Sequence, residues 1–376
     1  MSTFITKLDA TGDGPRLAVK DIVDVEGVPT TAGCRALERR AQPAAADAAC
    51  LAGARAANAR IVGKANLHEL AMLPIGTNPW FGTPVNPLDP DLIPGGSSSG
   101  SATAVANGEA DVAIGSDTGG SVRVPSACCG TAGLKTTYGR VSLDGVWPLA
   151  PSLDTIGPMA RDIAGVALGM QLLEPGFTPA PSPARTIGRI RTNGHPDIEA
   201  ATDEALRAAE FEIVELPWDV FAPGVETFFA PIYFKEMLEV DRALVTGNPD
   251  AVGADLAGTV AAAEMFLPGY DAAVSGLAAW RDSLSDLFTR VELFALPTLA
   301  NFPPRIDAIT EETLLLMIIE LTQHVALFNA AGTPCTAQPI PVGGSRLPAS
   351  LQLVGPHNGE ELLVTTARRV EDAVSG

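Results

Sequence analysis

Apolar and polar positions divide this chain into short blocks of two different periods. The run Leu17-Ala18-Val19-Lys20-Asp21-Ile22-Val23 predicts a strand over 17–25. An Ala-rich segment predicts a helix over 44–58, residues 60–62 open another strand, and 102–107 and 110–114 continue as helix and strand. A Pro/Ala/Ser-rich stretch at 175–185 (Pro175, Pro179, Pro181, Pro183) reads as a surface crossover within one fold. Beyond it, 186–191, 198–209 and 211–216 make a strand-helix-strand unit. A helical region over 254–291, interrupted at Pro268-Gly269, leads to a strand at 294–297. A helix over 311–331, strands at 336–340 and 351–354, and a terminal helix over 360–373 complete the pattern. This alternation predicts the α/β class with a largely parallel or mixed sheet, and leaves the domain count open.

Composition narrows the picture. Apolar residues make up 46% and charged residues 18% of 376 positions, which suits a large core and excludes a disordered chain. No apolar run approaches the ~20 residues of a membrane helix, and residues 1–7 lack the basic start and apolar stretch of a secretory signal, so a cytoplasmic protein is expected. The formal charge of −19 argues against a direct grip on nucleic acid. Five scattered cysteines (34, 50, 128, 129, 335) contain no CxxC pair, so they read as buried thiols and no metal is expected.

The unusual chemistry lies between Ile93 and Lys135. Two Gly/Ser-rich loops, Pro94-Gly95-Gly96-Ser97-Ser98-Ser99-Gly100-Ser101 and Gly115-Ser116-Asp117-Thr118-Gly119-Gly120-Ser121, flank one helix and one strand, so both can meet at one end of a sheet. A Gly-Gly-Ser turn can aim backbone N–H groups at a developing oxyanion, which makes Thr118, Gly119, Gly120 and Ser121 the oxyanion-hole candidates. The loops match neither GxGxxG nor a P-loop. No GxSxG elbow surrounds any serine, and His68, His195, His324 and His357 stand alone in the sequence. Lys20 is the alternative base: burial disfavours its charged form, and a neutral amine accepts a proton.

These stretches together resemble the amidase signature family, serine hydrolases with a Ser-Ser-Lys triad. The resemblance is carried by Val19-Lys20-Asp21, Gly63-Lys64-Ala65-Asn66, residues 95–101, residues 115–125 and Gly133-Leu134-Lys135. It continues through residues 138–142 and 152–158 and through Leu347–Pro356, and weakens between 174 and 293. It implies a single domain over 1–376 with a mixed central β-sheet covered by α-helices on both faces. Carried over by position, Ser121 is the nucleophile, Lys20 the base, and Ser97 the proton relay following a cis Gly96-Ser97 bond. Asp117 and Arg123 support the loop, and Ser98 helps to hold Lys20 or the loop.

Only 19 residues precede the lysine where relatives carry several helices, so the resemblance leaves room for an open site or one covered by a partner. Met72, Leu73, Trp80, Phe81 and Trp147 lie near the motifs and are candidates for a substrate pocket. The expected activity is cofactor-free hydrolysis of small carboxylic amides through an acyl-enzyme, by a protein acting alone or as a homodimer. Alternatives are the glutaminase subunit of a tRNA-dependent amidotransferase, a urea or carbamate amidohydrolase, and an idle scaffold of the same fold.

Overall fold

Along Leu293–Pro297 successive side chains enter two different cores: Leu293 and Ala295 one, Phe294 and Leu296 the other. That is the period of two expected of a strand covered on both faces. The computed structural model, which describes residues 2–375, places this strand within one sheet of eleven. The strands are β1 (Phe4–Lys7), β2 (Arg16–Lys20), β3 (Arg60–Ala65), β4 (Val112–Ser116), β5 (Ala132–Lys135), β6 (Ile156–Ala160), β7 (Thr186–Ile190), β8 (Glu212–Leu216), β9 (Leu293–Pro297), β10 (Cys335–Ile340) and β11 (Ala349–Val354). Their order is β1-β3-β2-β4-β6-β5-β10-β11-β9-β7-β8. The sheet is mixed: β3-β2-β4 and β9-β7-β8 are parallel blocks, and antiparallel pairings join them.

Helices cover both faces. Ile163–Leu173, Pro196–Ala208 and Glu360–Val374 supply one core with residues such as Val166, Ile198, Leu363 and Val370. Ala230–Gly247, Tyr270–Leu287 and Ala326–Ala331 supply the other with Met237, Trp280 and Phe328. Spacings of three, four and seven along Glu360–Val374 (Leu363, Val364, Ala367, Val370) show why this segment is helical. Among the described residues no helix is long and apolar enough to cross a membrane.

Three expectations require correction. The first strand ends at Lys20, because Asp21 turns aside to receive the Thr31 N–H at 3.0 Å. The helix over 44–58 shrinks to a tight turn at Ala49–Leu51 and a helix at Ala52–Ala56. Upstream, Ala44 bridges Glu26 and Asp47 accepts the Glu26 N–H at 2.9 Å, and these tertiary pairings override alanine's helix propensity. The helix over 311–331 is two, Leu314–Thr322 and Ala326–Ala331. At the start of the second, the Val325 carbonyl accepts both the Phe328 N–H at 3.1 Å and Arg123 Nη1 at 2.9 Å.

Candidate active site

Two parallel strands fix the position of Lys20. Val19 pairs with Ile114 across β2 and β4, so Lys20 ends its strand beside the end of β4. Its Nζ lies 2.8 Å from Ser116 Oγ and 2.7 Å from Ser97 Oγ. Ser97 arrives on the first Gly/Ser loop, where the Gly96-Ser97 peptide is cis. That loop is fastened by Gly96 N–H to the Pro74 carbonyl at 2.6 Å and by His68 N–H to the Ser97 carbonyl at 3.0 Å.

Lys20 and Lys64 sit on neighbouring strands, and both are fully buried. Lys64 has an ion-pair partner, Asp21 Oδ1 at 2.9 Å. Lys20 touches only hydroxyls, so burial pushes it down to about 7, with the charges of Asp117 and Asp154 opposing that fall. A neutral amine is therefore accessible near neutral pH. Lys135 is also fully buried and pushed down by burial, to about 8, but its Nζ donates to the carbonyls of Thr136 and Thr333 at 3.0 and 2.8 Å.

Ser121 stands on the second loop, 8% exposed, and its hydroxyl has no hydrogen-bond partner among the described residues. The two loops are joined through the backbone, Ser98 N–H donating to the Ser121 carbonyl at 3.3 Å. Asp117 and Arg123 bracket the turn and are both fully buried, joined by Nη2–Oδ1 at 2.9 Å and Nε–Oδ2 at 3.0 Å. The Asp117 carboxylate also receives the N–H groups of Gly120 at 2.8 Å and Val122 at 3.1 Å, and Asn329 Nδ2 at 2.9 Å. Burial would raise this carboxyl, but the Arg123 guanidinium outweighs it and holds Asp117 well below the usual carboxylate range. Arg123 reaches on to the Val325 carbonyl, Gln352 Oε1 and Asn329 Oδ1. The turn is thereby clamped to elements more than 200 residues away.

Gly120 needs correction as an oxyanion donor, because its N–H is committed to Asp117. Its φ of +120° is the positive value that lets the turn present its neighbours. Thr118, Gly119 and Ser121 N–H groups have no partner among the described residues and remain available. Gly119 is packed closely: a Cβ there would lie 2.6 Å from Phe229 Cζ. Thr118 Oγ1 donates to Asp154 Oδ1 at 2.6 Å, and the Leu149 and Ala150 N–H groups hold the same carboxylate.

Ser98 donates to the Ser116 carbonyl at 3.2 Å, so it is Ser116 that contacts the lysine. Sequence reasoning passes over Ser116 and Asp154, although both lie within the quoted motifs; Ser116 follows from strand register, pairing with Ile156, and Asp154 from the turn just beyond, where Asp117 and Thr155 exchange backbone hydrogen bonds. Gln352 lies in the quoted stretch 347–356 without being singled out there, and Asn329 carries no local signal.

The expected pocket residues scatter. Met72 and Leu73 are core residues beneath the first loop, and the Met72 carbonyl accepts from Tyr233 OH at 2.7 Å. Trp80 is corrected to a structural pin: its indole donates to Glu69 Oε1 at 3.0 Å and Arg35 lies over its ring. Phe81 is half-buried, and its N–H donates to Asn78 Oδ1 at 3.0 Å. Trp147 is half-buried, its N–H bonded to the Ile22 carbonyl two residues past Lys20.

The histidines serve elsewhere. His68 faces Asp255, His195 caps a helix, His357 lies by the Ala331 carbonyl, and His324 is pushed down to about 4 by burial. A cavity of about 270 Å³ lined by Arg281, Phe288, Thr333 and His357 contains none of residues 20, 97 and 121. Among the described residues no three His, Cys, Asp or Glu side chains converge as metal ligands would.

A family model described as Amidase matches residues 14–364. The chain is 32% identical to a glutamyl-tRNA(Gln) amidotransferase subunit from Halobacterium salinarum, over 99% of each chain. It is 34% identical to the protein of the same name from Thermus thermophilus, over 96% of this chain and 84% of the relative. A solved structure described as that of an amidase superposes with a TM-score of 0.85 at 27% identity, over 96% of this chain and 84% of the other.

Proposed function

The chain belongs to the amidase signature family and is a hydrolase of carbon–nitrogen bonds, and from that premise we propose that it hydrolyses a primary carboxamide to a carboxylate and ammonia through Ser121. Ser121 Oγ attacks the carbonyl carbon as its proton passes to Ser97, whose own proton passes to neutral Lys20. The oxyanion rests on the N–H groups of Thr118, Gly119 and Ser121. Collapse expels ammonia, which takes the proton returned through Ser97 and leaves an ester on Ser121. Water then attacks, delivers its proton to the same relay, and frees the carboxylate. The single observation that carries this reading is a fully buried lysine with no carboxylate in contact, bonded to a hydroxyl on the loop beside Ser121.

The relatives are named as subunits of an amidotransferase acting on glutamyl-tRNA(Gln), which favours a role in such an assembly, with glutamine as the amide cleaved, ahead of a free-standing amidase of small amides. Ammonia release from L-glutamine and from simple aliphatic amides, measured with the chain alone, separates these. Release from the aliphatic amides but not from glutamine supports the free-standing amidase. In either case Ser121→Ala and Lys20→Ala must abolish release while far-UV and near-UV dichroism stay unchanged, and an unaltered rate in either variant refutes the assigned role.

A further inference from the structure

Asp241 is fully buried on the helix Ala230–Gly247, and neither of its carboxyl oxygens has a hydrogen-bond partner. Across from it the indole N–H of Trp147 is also buried and unpartnered. The indole is near enough to counter the rise in Asp241's proton affinity but does not reach hydrogen-bond geometry. A buried acceptor and a buried donor, each unsatisfied, are rare, because each lacks the partner that water once supplied.

Both belong to elements whose contacts lead to the turn that carries Ser121. The helix bearing Asp241 follows directly on Phe229, whose ring rests against Gly119. One turn on, Tyr233 OH bonds the Met72 carbonyl, and Glu236 receives the Ser152 N–H at 2.9 Å. Trp147 lies on the segment that begins beside the end of β2 and runs into the Leu149 and Ala150 N–H groups around Asp154. Asp154 in turn holds Thr118 of the oxyanion turn. Burial, with a further contribution from Asp154, pushes Asp241 up to about 8, so it enters the neutral pH range able to take or share a proton.

We propose that Asp241 and Trp147 are the specificity residues of this site, reading a hydrogen-bond-donating nitrogen group on the acyl portion of the substrate, beyond the scissile amide. This rests on the Ser121 hydrolase reading. The carboxyl accepts an N–H and the indole donates to an oxygen beside it. Trp147 is the half-exposed member of the pair, so the indole is the part that yields when substrate enters. A second carboxamide satisfies both groups, whereas an amino group satisfies only the carboxyl.

The test uses the full chain with three amides: succinamide, L-glutamine, and 4-methylpentanamide, which replaces one carboxamide of succinamide by an isopropyl group of the same shape. Ammonia release should favour succinamide over 4-methylpentanamide by about tenfold or more in kcat/KM, the discrimination expected when buried polar groups are left unpaired. A preference for glutamine above succinamide would instead identify a charged amine as the group read. Asp241→Leu should abolish the preference by lowering kcat/KM for succinamide about tenfold more than for 4-methylpentanamide, and Trp147→Phe should reduce it. Equal rates on all three amides, or a loss in Asp241→Leu that is the same for each, overturns the proposal. Mapping of a fluorophosphonate adduct in each variant separates the two failures: a labelled Ser121 with no preference sinks only the specificity reading, and an unlabelled one in the wild type sinks the hydrolase reading beneath it.

Discussion

Replacing Lys20 by Met removes a fully buried amine whose burial costs the fold. A fall from 10.5 to about 7 corresponds to about 5 kcal/mol of unfavourable burial at pH 6, where both folded and unfolded lysine carry the proton. Met fills a similar volume but leaves Ser97 and Ser116 each without one bond, at about 1 kcal/mol apiece. The variant should therefore be more stable than the wild type by about 3 kcal/mol at pH 6. Above pH 7 the folded lysine is neutral while the unfolded one keeps its proton to 10.5. Wild-type stability accordingly rises with pH across that window, by about 1.4 kcal/mol per unit. By pH 9 the variant's advantage should have almost disappeared. Urea unfolding of both proteins at pH 6, 7.5 and 9, followed by tryptophan fluorescence, reads this directly. An advantage that is the same at pH 6 and pH 9, or a variant less stable at both, refutes the assignment of a neutral buried amine.

Two further outcomes follow from the clamp around Ser121. Arg123→Met strands the fully buried Asp117 carboxylate and should cost about 3–5 kcal/mol of stability, read as a lower urea midpoint; a midpoint shift worth under 1 kcal/mol would show that Asn329 and the backbone N–H groups suffice. Gly119→Ala places a methyl 2.6 Å from Phe229 Cζ and should slow ammonia release at least tenfold, with Phe229→Leu in the same chain restoring part of the rate; failure of that rescue would place the damage elsewhere.

Much of this site can be read locally because Lys20 ends a strand, Ser121 follows one and Ser97 leads into a helix, each within a contiguous motif. The strand carrying Lys20 shows in Leu17, Ala18 and Val19, but its end does not, since Asp21 turns away to meet Lys64 and Thr31. β6 is hidden because Gly157-Pro158 reads as punctuation, yet it pairs along its whole length with β4. The break between Leu314–Thr322 and Ala326–Ala331 falls where Arg123, some 200 residues earlier, docks on the Val325 carbonyl, a contact the local sequence does not announce. Gly120 passes for an oxyanion donor for the same reason: only the folded turn reveals that Asp117 takes its N–H. Asp241 sits in a helix with no motif, and its isolation emerges only once Trp147 is placed opposite it.

The central claim is that a neutral Lys20, acting through Ser97, activates Ser121. The rate at which a fluorophosphonate modifies the protein, followed by intact mass between pH 5 and 9 with the site mapped by peptide sequencing, tests it most directly. The account predicts a single adduct on Ser121, a rate rising about tenfold per pH unit up to about 7 and level above it, and a slow, pH-independent rate in Lys20→Ala. An adduct on another serine, or a rate profile that survives the loss of Lys20, would contradict it.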